Sequence, residues 1–169
     1  GMPRAVVVTR LDHPRADFEE LVAICQRVFG EGVMPLMLPM MADDGTPAGF
    51  IDLITERIHD YSSGTRVDRD PEATHLELIE STRAGLIEGI IAESEDETLM
   101  DRYLAGEDIE LDVLVDDLEK AVSRGSFFPV LAAAIPDSVG MTEVLELITR
   151  GFPSPLEHEM PAVTTPEGK

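Results

Sequence analysis

Positive charge is scarce in this chain: 13 Lys and Arg stand against 34 Asp and Glu among 169 residues, a formal charge of −21 and a sequence pI near 4.3. The deficit argues against a DNA-binding, RNA-binding or membrane surface, because phosphate backbones are held by clustered cations and so acidic a field repels them. Any partner that docks by charge is expected to be basic. Cysteine occurs once, at Cys25, so no internal disulfide can form, which fits a reducing compartment. No apolar run approaches the ~20 residues of a membrane span, and no charged-then-apolar leader opens the sequence. A cytoplasmic location is the expectation. Core material is ample, with 43% hydrophobic residues and a mean hydropathy of −0.01. A chain of this length buries roughly 70% of its unfolded surface, and one domain, or one with an appended lobe, is expected.

Pro3 to Arg10 is a short apolar run rich in β-branched residues, which reads as a strand buried on both faces of a parallel sheet. After a turn at His13-Pro14, the residues Phe18, Leu21, Val22, Cys25, Val28 and Phe29 recur at helical spacing, and Gly30 stops the helix. Val33 to Met41 is a second apolar run whose prolines, Pro35 and Pro39, favour an edge or the ends of a strand. Asp43 to Gly49 is turn chemistry, and Phe50 to Tyr61 holds two short strand-like pieces suited to antiparallel pairing. Asp70-Pro71-Glu72 offers an N-cap and a first-turn proline for a helix with a stripe of Leu76, Ile79, Leu86, Ile87, Ile90 and Ile91. Ser94 and Glu97 have the spacing of a capping box for a helix through Leu99, Tyr103 and Leu104, ended by Gly106. Leu111 to Arg124 sets Leu111, Leu114, Val115, Leu118 and Val122 opposite Asp112, Asp116 and Glu119. Residues 70–124 carry 17 acidic and 4 basic side chains, half of all the carboxylates.

Phe127 to Ala134 again reads as a buried strand, and Met141, Val144, Leu145 and Ile148 as one face of a closing helix. Pro153-Ser154-Pro155 breaks that helix, and Met160 to Lys169 is a polar tail with nothing to bury, expected to be mobile. A buried strand with its helix at each end and an acidic α+β segment between them is the layout of an insertion in an α/β domain. The expected division is 3–39 and 126–152 for the two parts of the host, 40–125 for the insertion and 153–169 for a linker.

Ligands of open parallel sheets bind beyond the strand ends. The residues just past Val8 are Thr9-Arg10-Leu11-Asp12, and those just past Leu131 are Ala132-Ala133-Ala134-Ile135. The Asp12 carboxylate could accept two hydrogen bonds from a guanine N1–H and 2-amino group, and the Arg10 stem could cover the base. Small residues in the second loop could bring backbone N–H groups close to a purine oxygen. The same residues also suit a loop aspartate capping its helix and alanines packed under a sheet.

An ordered series of short motifs adds to this. Pro3-Arg4-Ala5-Val6-Val7-Val8-Thr9-Arg10-Leu11-Asp12, Ala16-Asp17-Phe18, Met37-Leu38-Pro39 and Gly49-Phe50-Ile51-Asp52-Leu53 are followed by Tyr103-Leu104-Ala105-Gly106-Glu107 and Pro129-Val130-Leu131. Pro153-Ser154-Pro155-Leu156 and Thr164-Thr165-Pro166-Glu167-Gly168 complete the series. In order and spacing it resembles elongation factor G over nearly the whole chain. The resemblance implies the guanine-side half of a P-loop-GTPase-type parallel sheet with an inserted α+β subdomain. It implies a parent that binds GTP or GDP with magnesium and hydrolyses GTP on the ribosome in protein synthesis. Thr9, Arg10 and Asp12 fall on the Asn-Lys-x-Asp guanine motif, and Ala134-Ile135 on a Ser-Ala pair. Thr9-Arg10 in place of Asn-Lys, and the lost serine hydroxyl, point to an elongation factor G-like paralogue with weakened guanine preference. The inserted subdomain in that family is thought to meet the basic end of the ribosomal stalk protein. The acidic face expected to do so includes Glu77, Glu80 and Glu88 on one helix and Asp112, Asp116 and Glu119 on another.

No Gly-x-x-x-x-Gly-Lys-Ser/Thr occurs in the sequence, so nothing here cradles β- and γ-phosphates. No catalytic residue is assigned, no nucleotide is expected to stay bound to this chain alone, and it is expected not to hydrolyse GTP. Asp137-Ser138-Val139-Gly140 spells a magnesium-side switch, but it follows the specificity motif and reads as the start of the last helix. His13, His59, His75 and His158 lie far apart without ligand spacing, so no metal site is assigned. Cys25 reads as core, Met34, Met37, Met40 and Met41 as packing, and Asp43-Asp44 and Glu95-Asp96-Glu97 as a turn and a helix start. An exposed sheet edge invites self-association. The alternative to the GTPase fragment is an autonomous acidic interaction module with no nucleotide role.

Overall fold

The computed structural model describes residues 2–92, 94, 96–154 and 156; the tail from Met160, His158, and Glu95 of the acidic triplet lie outside them. Val6–Thr9 form β1 and Phe18–Phe29 form α1. The Asp17 carboxylate caps α1 by accepting from the Glu20 N–H at 2.9 Å, and Gly30 closes it. The expected second strand is two: Val33–Pro35 is β2 and Met37–Met41 is β3, in different sheets. Both are edge strands, which is where chain lacking a proline N–H can sit without losing a ladder bond. Leu36 joins them. Its N–H donates to the Val130 carbonyl at 3.0 Å and its carbonyl accepts from the Leu53 N–H at 3.0 Å.

Pro47–Asp52 (β4), Ile58–Asp60 (β5) and Val67–Arg69 (β6) complete a four-stranded antiparallel sheet in the order β3-β4-β5-β6. Gly49 is needed where β4 meets β5, since a Cβ there would stand 2.1 Å from the His59 carbonyl oxygen. Ala73–Ile91 form α2, Leu99–Leu104 α3 and Leu111–Arg124 α4. The α2 cap is Glu72, whose N–H donates to His75 Nδ1 at 3.1 Å, and not Asp70, whose carboxylate is held by Arg57. The Ser94–Glu97 capping box is replaced by an Asp96 turn: its carboxylate accepts from the Thr98 N–H at 2.9 Å and hydroxyl at 2.7 Å, and α3 starts just after. Ile87, Ile91, Leu99 and Leu114 form a small core among these helices. Leu86, Ile90, Leu118 and Val122 join the principal core around Val33, Phe50, Phe127 and Leu131.

Phe128–Ala133 form β7, the middle strand of a parallel sheet in the order β1-β7-β2, and Met141–Arg150 form α5. Two helix faces differ from the periodicity. In α1 only Phe18 and Val22 are buried, and Phe29 is 62% exposed. In α5 the buried residues are Glu143 and Leu147, while Leu145 is 59% exposed and Ile148 is also exposed. A sheet of three strands is too narrow to cover the whole apolar width of its helices.

Candidate functional site

Parallel pairing sets Val6 opposite Val130, Val7 opposite Leu131, Val8 opposite Ala132 and Thr9 opposite Ala133. Both strands therefore end level, and the loops after them leave the same edge of the sheet. In the first loop Arg10 adopts φ 63°, and its carbonyl accepts from the His13 N–H at 2.9 Å, closing a turn. Buried Leu11 anchors the turn in the core. Asp12 follows, half-buried, with Oδ2 3.8 Å from Arg10 Nε. Its Oδ1 is buried and has no hydrogen-bond partner among the described residues. Helix capping does not explain this carboxylate, because Asp17 caps α1. A buried carboxylate oxygen without a donor is costly, so Asp12 calls for a partner or a role, as do Asp117 Oδ2, His59 Nδ1 and Glu143 Oε1, which share this condition.

The second loop is built on close approach. Ala132 and Ala133, expected in the loop, are the last two residues of β7, and they are fully buried together with Ala134, which leads into the turn. The Ala134 N–H donates to the Val139 carbonyl at 2.9 Å and the Val139 N–H returns a bond at 3.2 Å. This bridge uses the Ala134 amide internally, so Ile135, exposed at the start of the 3₁₀ turn Ile135–Asp137, is the member of the pair not tied into it. Gly140 then turns the chain at φ 86° into α5, where a Cβ would lie 2.3 Å from the Ala132 carbonyl oxygen. Asp137-Ser138-Val139-Gly140 is thus the lead-in to the last helix.

A buried ionic cluster that the sequence did not disclose joins the antiparallel sheet to α5. Glu143 is 3% exposed; its Oε2 accepts from the Tyr61 hydroxyl at 2.7 Å. His59 is 2% exposed, and its Nδ1 lies 2.9 Å from Glu143 Oε1, off the line of a hydrogen bond, while Arg66 Nη1 stands 3.6 Å from the same oxygen. Arg66 Nη2 stands 3.0 Å from His59 Nε2. Because a guanidinium only donates, Nε2 accepts, which leaves the ring proton on Nδ1, facing Glu143. Arg66 also donates to Asp68 at 2.7 Å and to Glu146 at 2.7 Å. Burial pushes the Glu143 carboxyl up, but His59 and Tyr61 outweigh it and hold the group below its ordinary range. Burial, reinforced by Glu143, raises the Tyr61 hydroxyl to about 12. The cluster was illegible because His59 and Glu143 are lone residues in segments far apart in sequence.

Of the acidic residues, Glu77, Glu80, Glu88, Asp112 and Asp116 are exposed and Glu119 is half-buried. Asp117, which the pattern of α4 did not single out, is buried, with Oδ1 3.1 Å from Lys120 Nζ. Among the described residues no group of three or more His, Cys, Asp or Glu could hold a metal ion. Among them, too, no helix is long and apolar enough to cross a membrane.

The paired parallel strands, their two loops at one edge and the α+β segment between them define an α/β protein: a partial P-loop-GTPase-type sheet with an inserted subdomain. The comparisons with known proteins agree. The chain is 52% identical over 168 residues to the Elongation factor G-like protein of Mycobacterium tuberculosis, both in strain CDC 1551 / Oshkosh and in strain ATCC 25618 / H37Rv. That alignment takes in 99% of this chain and 23% of each relative. A crystal structure of a Thermus thermophilus protein superimposes with a TM-score of 0.79 at 31% identity, over 93% of this chain and 23% of that one. No family model matches. On these matches the chain belongs to the elongation factor G family, and it spans about a quarter of the length of the curated relatives it matches.

Proposed function

We propose that the chain is the guanine-side part of an elongation factor G-like translational GTPase, which binds and hydrolyses GTP on the ribosome in the cytoplasm. The observation that carries this reading is the buried Asp12 Oδ1, left without a donor at the sheet edge beside the Ala134–Ile135 loop. In this reading Asp12 accepts from the guanine N1–H and 2-amino group, and the Arg10 stem lies over the base. Thr9 offers a hydroxyl at the strand end, and the Ala134–Ile135 turn presents a backbone donor to the purine oxygen. An autonomous acidic module leaves the Asp12 oxygen unexplained. The apolar surface left open on α1 and α5 also suits a chain that sits within a larger protein.

Phosphates supply most of the polar anchoring of a nucleotide, and their cradle and magnesium site are assigned to the longer protein. The chain alone is therefore expected to release no phosphate from GTP with magnesium above a buffer control; clear release would overturn that. In the longer protein, Asp12→Asn replaces an acceptor by a donor, which suits the 2-oxo group of xanthine. Preference is expected to shift from guanine to xanthine nucleotides in competition binding, and unchanged guanine preference would remove Asp12 from the site.

For the acidic lobe, spanning 40–125 in this reading, the proposed partner is the basic domain of the ribosomal stalk protein. It would dock on Glu77, Glu80, Glu88, Asp112, Asp116 and Glu119. Binding is expected to weaken steeply with salt, and no binding in a low-salt titration would count against it. Self-association through the free edge of β1 is tested by sedimentation, where a monomer at high concentration would exclude it.

A further inference from the structure

The helix that follows the alanine loop is fastened to the antiparallel sheet by a buried carboxylate, and its fastening point stands one turn from the loop. Glu143 lies in the first turn of α5 and receives His59, from the middle of β5, and Tyr61, the residue just after that strand. Because Glu143 is the third residue of α5, the Tyr61 hydroxyl reaches the start of the helix. From there the covalent path to the loop is short and stiff. The Val144 N–H donates to the Gly140 carbonyl at 3.1 Å, Gly140 packs against the Ala132 carbonyl, and Val139 is bonded both ways to Ala134. The hydroxyl bond from Tyr61 restricts this attachment, because moving either side takes from a buried carboxylate a donor that water cannot replace.

We propose that Glu143 is a positioning residue: gripped by Tyr61 and His59, it fixes where the Ala134–Ile135 loop stands beside Asp12. The significance of that position for guanine rests on the function proposed above, whereas the grip itself does not. It makes the base edge of the parallel sheet answerable to the inserted sheet, since a shift of β5 moves the carboxylate that holds α5.

The test is amide hydrogen exchange of this chain, followed residue by residue by NMR. Tyr61→Phe removes one hydroxyl and keeps the ring in place. It is expected to speed exchange of the Ala134 and Val139 amides about tenfold, as a local opening made easier, while Val22 and Val130 keep their rates. Glu143→Ala is expected to do the same, and Glu143→Gln, which still offers Tyr61 an acceptor, to restore most of the protection. Equal acceleration at all four amides would show plain destabilisation and overturn the proposal, as would unchanged rates at Ala134 and Val139. If Glu143→Ala does not fold, Tyr61→Phe decides alone. A separate GDP titration of the longer protein judges the guanine reading: absence of binding together with the local exchange change strikes that reading and leaves the positioning role standing.

Discussion

Thr9 and Ala133 come from opposite ends of the chain and face each other at the last rung of one parallel ladder. Everything proposed for the site depends on that rung, because it brings the Asp12 turn and the alanine loop to a common edge.

Asp12 is expected to cost the isolated chain stability. Replacing it by alanine removes a buried oxygen that has no donor, so Asp12→Ala should leave the urea midpoint unchanged or raise stability by up to about 1 kcal/mol. A clear loss of stability would mean that the carboxylate is a structural acceptor.

Gly140 has no comparable freedom. At φ 86° and with a Cβ position 2.3 Å from the Ala132 carbonyl oxygen, Gly140→Ala must displace the strand or the turn. A loss of at least about 2 kcal/mol in denaturant unfolding is expected.

Acid and alkali should each weaken the Glu143 cluster, so that stability has slopes of opposite sign at the two ends of the pH range. The Glu143 carboxyl lies below its ordinary value of 4.5 in the folded protein, so its contribution is present above that pH and is lost as pH falls through the folded value. Tyr61 is raised from 10.0 to about 12; its contribution is complete below pH 10 and disappears as pH rises through 12. Urea unfolding across pH should show Glu143→Gln flattening the acid limb and Tyr61→Phe the alkaline limb.

Two phenylalanines should behave differently. Phe50 is fully buried and meets Tyr61 edge-on, with ring centroids 6.3 Å apart. Phe50→Ala is expected to cost about 3–5 kcal/mol. Phe29 is largely exposed at the end of α1, so Phe29→Ala should change stability by less than about 0.5 kcal/mol. Thermal melts of the two variants check both values.

Two parallel strands were legible as continuous apolar runs, Val6-Val7-Val8 and Val130-Leu131-Ala132, but only β7 is buried on both faces; β1 lies at the sheet edge with Val7 39% exposed, so its expected double-sided burial does not hold. β6 was not legible, since Val67-Asp68-Arg69 has little to bury and is placed by backbone pairing with β5. The α5 face was misjudged for a related reason. Its apolar residues Leu145 and Ile148 mark a stripe, yet the surface that β5 offers is polar, and it recruited Glu143 instead. Asp12 was legible through its place after a strand, but that one of its oxygens lacks a donor could be learned only from three dimensions. The split of Val33–Met41 turned on Leu36, whose two backbone groups point to different sheets, a geometry that side-chain patterning does not encode.

That same Leu36 has a mechanical consequence. A single residue is bonded through its N–H to β7 and through its carbonyl to Leu53, with α2 and α4 side chains driven into the common core. Among the described residues the carboxylate-rich lobe is therefore braced against the parallel sheet by hydrogen bonds and a shared core, so a pull on its helices is expected to reach the strand ends instead of being taken up at a hinge.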